Sequence, residues 1–456
     1  MNTYLFRCAV VAAMGGFLFG FDTVVISGAE QHVQQLWGLS DAMHGLAMSI
    51  ALWGTVLGAL TGGWPSDWFG RQKTLLLIGA LYVISAIGSA LAPDPFTFMI
   101  SRFIGGVAVG ISTVAAPIYI SEIAPARLRG RLTGMFQFNI VLGILVAFGS
   151  NALLAGAGEH AWRWMLGVEA FPALIFAAFC LMIPESPRWL VGRKGDRETA
   201  RKTFSRVQPD LRPEEIDAKI EEVATLAHTA TSRAPFWTWR LRVPIMLAFF
   251  VAFFNQLSGI NAVLYFAPRI FQMTGLGEEA ALLQSVGIGV TNLLFTLLGL
   301  WLIDKIGRRS LLYIGSFGYI LSLGLVSWAF FTEHFAIVPV LIFAFIAAHA
   351  VGQGTVIWVL ISEIFPNRQR AYGQALGSST HWVFAALLTL FFPTMATLLA
   401  PGFIFLFFCF MMVLQLLWVM LMVPETKGRP LEDIEKDLGV DLSTGDDPQT
   451  QAGVSK

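Results

Sequence analysis

Twelve segments of this 456-residue chain are each apolar over about 20 residues, the length of helix that crosses a hydrocarbon core of ~30 Å. They begin near Leu5, Met43, Thr74, Phe96, Leu132, Met165, Val243, Ala280, Ser310, Ile337, Gln374 and Gly402. Within lipid every backbone N–H and C=O must be satisfied inside its own segment, so such segments span as α-helices. Hydrophobic residues make up 55% of the chain and charged residues 13%, against roughly 25% charged in an average soluble chain. No water-soluble fold of this length buries that much apolar surface, and the lipid bilayer is the partner that composition demands. The 30 basic and 30 acidic residues cancel, which removes any global charge favouring nucleic acid. Cys8, Cys180 and Cys409 lie in apolar stretches without metal-knuckle or redox spacing and are read as buried packing residues. The first apolar run is too long for a secretory leader and lacks its cleavage site, so it is expected to remain as a span.

Short loops rich in Gly, Pro, Asp or Arg separate most segments. The exception is 185–242, where the runs RETARKTFSRV and PEEIDAKIEEVATLAH predict short soluble helices. The expected plan is a six-helix bundle over 1–184, a linker over 185–242, a second bundle over 243–423 and a tail over 424–456. Basic residues gather in the linker and at Arg71 and Lys73, Arg127 to Arg131, Lys305 to Arg309, and Arg368 and Arg370, whereas the alternate loops hold only Arg163 and Arg269. That asymmetry places both termini in the cytoplasm. Short outer loops without a glycosylation sequon fit a bacterial inner membrane.

Three signals recur. SDWFGRQK at Ser66 returns as IDKIGRRS at Ile303, SEIAPARLR at Ser121 as SEIFPNRQR at Ser362, and PES at Pro184 as PET at Pro424, at offsets of 237, 241 and 240 residues. A near-constant offset marks duplication of a six-helix unit. Each unit places a carboxylate before a basic loop: Glu122 before Arg127 and Arg129, and Glu363 before Arg368 and Arg370. Asp67 with Arg71 and Asp304 with Arg308 lie in the paired loops, while Glu185 and Glu425 follow the sixth and twelfth spans. Positive-inside topology explains the arginines but not the recurring glutamates. Opposite charges at helix ends are expected to latch the cytoplasmic side while the outer side is open.

Two ionisable residues interrupt the spans. Asp22 stands about seven residues from the outer end of the first and Arg102 about six from the outer start of the fourth, so at 1.5 Å per residue both lie roughly 10 Å below the outer surface. An ionisable group there costs at least ~2.5 kcal/mol on the insertion scale and therefore faces a partner or water. A purely structural ion pair is the plain alternative. Burial favours a neutral acid and a nearby guanidinium favours the carboxylate, so a separation that changes with conformation would switch proton affinity. The seventh span carries Asn255, Gln256, Ser258 and Asn261 around Gly259, with Tyr265 one turn beyond Asn261. Amides both donate and accept, and a Ser–Gly break can turn them into a cavity. Hydrogen bonding between helices is the other reading.

The strings GFDTVVISGA, DWFGRQK, RFIGGVAVG, PIYISEIAPARLRG, PESPRWL, NQLSGINAVLYFAP, DKIGRR, WVLISEIFPNRQR and PETKG extend from Gly20 to Gly428. They resemble the sugar porter family of the major facilitator superfamily, for which PESPRWL with PETKG is a specific combination. The resemblance implies an all-α membrane protein with the major facilitator fold, twelve transmembrane helices in two six-helix bundles, and a central cavity open alternately to each side. It implies transport of a monosaccharide, with a proton as the coupled ion and one chain sufficient, since an acid at the position of Asp22 accompanies symport and an amide accompanies facilitation. By motif, substrate is bound through Gln256 and Asn261 together with Gln137, Asn292, Trp358 and Trp382, with Phe19 and Tyr265 lining or closing the cavity. The family's cytoplasmic latch corresponds to Asp67, Arg71, Glu122, Arg129, Glu185, Asp304, Arg308, Glu363, Arg370 and Glu425. Ile144 falls where the bacterial xylose symporter has an amide and glucose facilitators have isoleucine, which favours a hexose. A passive facilitator and a non-transporting sugar sensor are the alternatives.

The chain departs from the family at four positions. Asn255 stands where many relatives have Gln, Thr355 replaces a proline, Ala371 a glycine, and His381 the Asn or Gln before Trp382. Without the proline the tenth helix is expected to bend less. His381 lies mid-span, where histidine can donate to a sugar hydroxyl or serve as a satisfied structural residue; His349 poses the same choice. No Walker loop, metal-ligand spacing or nucleophile elbow occurs in the sequence, so ATP-driven transport and catalysis are not expected and no cofactor is implied.

Overall fold

A computed structural model describes residues 2–229, 236–366, 369–429 and 431–440. Its spans are α1 (Thr3–Gly28), α2 (Asp41–Thr61), α3 (Arg71–Leu91), α4 (Pro95–Ile123), α5 (Arg127–Leu154), α6 (Ala161–Cys180), α7 (Trp239–Tyr265), α8 (Glu278–Ile306), α9 (Arg308–Phe331), α10 (Phe335–Glu363), α11 (Arg370–Leu398) and α12 (Pro401–Met422). The shortest, α6, has 20 residues and at 1.5 Å per residue still reaches ~30 Å. No strand occurs among the described residues. The helices start a few residues ahead of their apolar runs because polar caps begin them. Asn2 accepts from the Tyr4 N–H, Ser40 from Met43, and Asp94 from Phe96 and Thr97. Met1, residues 230–235, residues 367–368 (with Arg368), Pro430 and residues 441–456 lie outside the described part of the chain.

The face that carries the N-terminus and the linker is termed inner, following the charge asymmetry. The linker helices Arg197–Val207 and Pro213–Thr229 pack Phe204, Ile216 and Ile220 against Trp189 and Leu190. Several bonds hold the linker to the first bundle: Gln208 Nε2 donates to the Ile123 carbonyl at 3.2 Å, Asn2 Nδ2 to the Arg206 carbonyl at 2.6 Å and Trp189 Nε1 to the Asp67 carbonyl at 2.8 Å, among others. The bundles meet across α2–α11 and α5–α8. There Gly45 lies against the Leu390 backbone and Gly289 against Leu145, both in the outer half of their helices.

Two spans break in the middle. α7 separates into Arg242–Leu257 and Ile260–Tyr265 at Gly259, whose φ of +88° is a left-handed conformation that glycine adopts without a Cβ penalty. α10 separates into Val338–Val351 and Gln353–Glu363 at Gly352. The loss of proline at Thr355 therefore does not straighten α10, contrary to the sequence expectation. Gly352 packs directly on Gly315 of α9, and the Thr355 hydroxyl donates to the Ala350 carbonyl at 2.6 Å, occupying an acceptor beside the break.

Candidate transport site

The polar residues of α7 form one network with α11. Gln256 Nε2 donates to Asn255 Oδ1 at 2.9 Å and lies 3.1 and 3.2 Å from the two ring nitrogens of His381, while Gln256 Oε1 accepts from Asn261 Nδ2 at 2.6 Å. Aromatic rings frame it. His381 lies 5.2 Å from Trp358 and 4.7 Å from Trp382, and Phe19 of α1 packs 5.4 Å from Trp382, joining the two bundles. Tyr265 and Ile144 are buried. Asn292 is buried on α8 and accepts from Thr296 at 3.4 Å, and Gln137 is half-buried on α5. Neither bonds to the Gln256 network among the described residues. His349 is different: its Nδ1 lies 2.6 Å from the Tyr319 hydroxyl, so this histidine is satisfied within the second bundle. Cys8 and Cys180 are buried as expected, while Cys409 is only half-buried and its thiol faces the Ile320 carbonyl.

The two intramembrane charges do meet. Arg102 Nη1 donates to Asp22 Oδ1 at 2.6 Å and Nη2 to the Asp22 carbonyl at 3.0 Å, with the residues 2% and 1% exposed. A third ionisable group joins them. Glu169 of α6, 1% exposed, is beside Asp22 and within electrostatic reach of Arg102 without an ion pair to it. Sequence reading passed over it, although the rule that singled out Asp22, an ionisable residue inside an apolar span, applies equally. The Ile260–Tyr265 stretch of the second bundle packs against α1, and Tyr265 is within electrostatic reach of Asp22 and Arg102. Asp22 is one turn from Phe19 on α1, and Tyr265 is one turn from Asn261 on α7.

At the inner face the duplication is repeated bond by bond. Arg71 donates to both Glu122 oxygens at 3.0 Å and to Asp67 at 3.1 Å, and Arg308 donates to Glu363 at 2.7 and 3.1 Å and to Asp304 at 3.0 Å. Glu185 accepts the backbone N–H groups of Arg71, Gln72 and Ser186, and Glu425 those of Arg308 and Arg309. Each carboxylate thus caps a helix N-terminus. Burial pushes the Glu185 carboxyl up from its ordinary value, against those N–H donors and Arg71, which pull it down. Gly70 and Gly307, at φ +97° and +98°, leave room for these carboxylates. Among the described residues, the arginine partners of Glu122 and Glu363 are Arg71 and Arg308 of the GR loops, not Arg127, Arg129 or Arg370. Arg129 is exposed, and Arg370 leaves Nε and Nη2 unpaired. Every one of these pairs lies within a single bundle.

Across the bundles the ion pairs are at the outer face. Arg269, just beyond α7, donates to Glu30 at 2.9 and 2.7 Å and to Gln34 at 2.6 Å, and Glu30 also meets His44 Nε2 of α2 at 2.8 Å. The Glu30 and His44 side chains are fully buried and Arg269 is 17% exposed. Sequence reading counted Arg269 only as a topology marker, since Glu30 is 239 residues away and no local pattern links them.

Duplicated six-helix bundles closed over a buried polar site, with no covalent chemistry arranged in it, define a membrane solute transporter of the major facilitator fold. Residues 8–438 match the model for "sugar (and other) transporter" proteins, and the chain belongs to that family. It is 36% identical over 446 residues to the arabinose-proton symporter of Bacillus subtilis, covering 95% of this chain and 94% of that one. It is 34% identical to the D-xylose-proton symporter of Escherichia coli (95% and 96%) and 35% identical to the glucose transporter GlcP of Staphylococcus epidermidis (96% and 97%). The structure resembles a partially occluded inward-open form of the E. coli xylose transporter XylE with TM-score 0.84 at 32% identity, covering 94% of this chain and 100% of that one. Against XylE bound to 6-bromo-6-deoxy-D-glucose the TM-score is 0.78 at 32% identity, covering 96% and 99%.

Proposed function

We propose that the protein is a bacterial inner-membrane symporter that couples entry of one monosaccharide, a hexose rather than a pentose, to entry of a proton, with both termini in the cytoplasm. The observation that carries the reading is the buried Asp22–Arg102–Glu169 group, placed one turn along α1 from Phe19, which packs on Trp382 beside the polar network. Two acids face one arginine, so the fully buried group reaches charge balance with a single bound proton. The sugar's hydroxyls take the donors and acceptors of Asn255, Gln256, Asn261 and His381, with Gln137 and Asn292 completing the ring from α5 and α8. Its C–H face lies against Trp382 and Trp358.

Binding is felt at the proton site through two short paths. Phe19 moves with Trp382 and stands on the same helix as Asp22; Tyr265 moves with Asn261 at the break of α7 and is within electrostatic reach of the pair. Alternation opens the bundles on one side as they close on the other. The Arg269–Glu30–His44 cluster seals the outer side, and the Glu122, Glu185, Glu363 and Glu425 clusters, with Arg129 and Arg370, form the inner latch. The related arabinose and xylose symporters and glucose transporter support a sugar as the solute, and Ile144 in the cavity supports a hexose.

The test is a panel of sugars in a transport-deficient bacterial host with and without a protonophore. Accumulation of a hexose that collapses with the protonophore is the expected result; accumulation of pentoses alone contradicts the preference, and uptake unaffected by the protonophore contradicts coupling. His381→Asn is expected to raise the KM of the preferred sugar about tenfold while changing others less, as loss of one hydrogen-bonding group does. Equal loss for every sugar, with less protein in the membrane, assigns His381 to packing instead.

A further inference from the structure

Tyr82, Ser85 and Ser89 stand at positions i, i+3 and i+7 of α3, on one face of the helix. That face is turned into the first bundle, with the residues 0%, 1% and 1% exposed. Their three hydroxyl oxygens have no hydrogen-bond partner among the described residues, and neither has Glu169 Oε1. Many buried hydroxyls in the spans bond back to their own helix, as Thr23 does to the Phe19 carbonyl, Thr55 to Ala51, Ser101 to Thr97 and Ser285 to Ala281, while Ser27, Ser112 and Thr389 lack a partner singly on other helices. Ser85 and Ser89 do not, so these hydroxyls are aimed elsewhere.

Two of the unpartnered hydroxyls lie near the charged group. Tyr82 is within electrostatic reach of Asp22, Glu169 and Arg102. Ser85 Oγ and Asp22 Oδ1 both border the space that a side chain at Gly105 would fill. Each unsatisfied buried polar group costs about 1–3 kcal/mol, and a buried water needs two to four polar partners. Tyr82 Oη, Ser85 Oγ and Glu169 Oε1 are the buried, unpartnered oxygens available to such waters. Ser89 carries the line to within two residues of the outer end of α3 at Leu91, where the Ala90 and Ala92 carbonyls hold Arg163 at 2.6 and 3.0 Å.

We propose that this face of α3 is the proton's route from the outer side to the acids, a hydrated line past Ser89, Ser85 and Tyr82 that is separate from the sugar cavity. Only O–H bonds change. A hydronium arriving beside Ser85 loses a proton to the next water and that water to the carboxylate of Glu169 or Asp22, while the hydroxyls accept and donate without net change. The titratable and charged groups within electrostatic reach of the terminus are Asp22 of α1, Arg102 of α4, Glu169 of α6 and Tyr265 of α7. This inference rests on the symport reading. It assigns Tyr82, Ser85 and Ser89 as positioning residues, since they touch neither sugar nor the carboxylates covalently.

The test uses the full chain in proteoliposomes with D-glucose or D-xylose, whichever the parent accumulates. Tyr82→Phe, alone and combined with Ser85→Ala and Ser89→Ala, deletes only oxygens. Proton-driven initial uptake and the accompanying external alkalinisation are expected to fall about tenfold, with counterflow of labelled sugar kept within about twofold. The ratio of rates in H2O and D2O is expected to rise, and Ser89→Thr, which keeps the hydroxyl, to behave as the parent does. The proposal is overturned if the triple variant keeps the parent's alkalinisation rate and isotope ratio, or if counterflow falls in step with uptake, which is the mark of a packing role. Absence of alkalinisation in the parent itself sinks the symport reading and this route with it.

Discussion

Asp22→Asn is expected to abolish uphill sugar accumulation while leaving exchange of labelled sugar across the membrane intact. The substitution keeps the shape of the side chain, and the Asp22 backbone carbonyl still accepts from Arg102 Nη2. Removing one member of a buried ion pair ordinarily costs about 3–5 kcal/mol because the other charge is left unpaired. In this protein Glu169 is within electrostatic reach of the same arginine and offsets part of that cost, so the variant is expected to fold and to bind sugar. What disappears is the second acid, and with it the site that exchanges a proton as the bundles rock. Each proton entering along 100 mV supplies about 2.3 kcal/mol, enough for a roughly 50-fold gradient, so the expected accumulation ratio falls from that order to about one. Accumulation equal to the parent's, measured at the same membrane potential, removes Asp22 from the coupling mechanism.

The second large effect concerns the conformational balance. Arg269→Ala breaks the contact between Glu30 and the second bundle, where the Glu30 side chain is wholly buried and, among the described residues, has only His44 as a further ion-pairing partner. Stranding a buried carboxylate by about 3–5 kcal/mol destabilises the outer-closed form relative to the outer-open form by about 100-fold or more. Spin labels at Leu153 and Leu398, both exposed at the outer ends of α5 and α11, report the change once the native cysteines are replaced. A longer distance should dominate in Arg269→Ala, with Arg269→Lys intermediate because it keeps the charge and loses the two-pronged contact. A distance distribution identical to the parent's shows that the outer seal rests on helix packing alone.

The features legible in the sequence were those expressed as period, length or local cost. Twelve spans followed from apolar length, and the duplicated inner clusters from a repeat whose atoms now superpose in role: Arg71 with Glu122 and Glu185, Arg308 with Glu363 and Glu425. The meeting of Asp22 with Arg102 followed from equal depth in two helices. Contacts made only when distant segments pack were not legible. Nothing local to Glu30, His44 or Arg269 announces a cluster, and the bend of α10 depends on Gly352 resting on Gly315 of another helix. The pairing of Glu122 was misjudged toward Arg127 and Arg129 because neighbours in sequence point away around a helix end, whereas Arg71 arrives from the adjacent loop. Glu169 was within reach of the same cost argument that found Asp22. It was overlooked because it stands near the start of the sixth apolar run, where a carboxylate passes for a helix-end residue.

The central claim is that sugar and proton cross together. Its most direct test is a pH electrode in a lightly buffered suspension of de-energised cells expressing the protein. Addition of the accumulated hexose is expected to raise the external pH at once, with no change on adding a non-transported sugar and none in Asp22→Asn cells that still exchange labelled sugar. Sugar entry at the parent's rate with a flat pH trace would contradict the account and leave the protein a passive carrier.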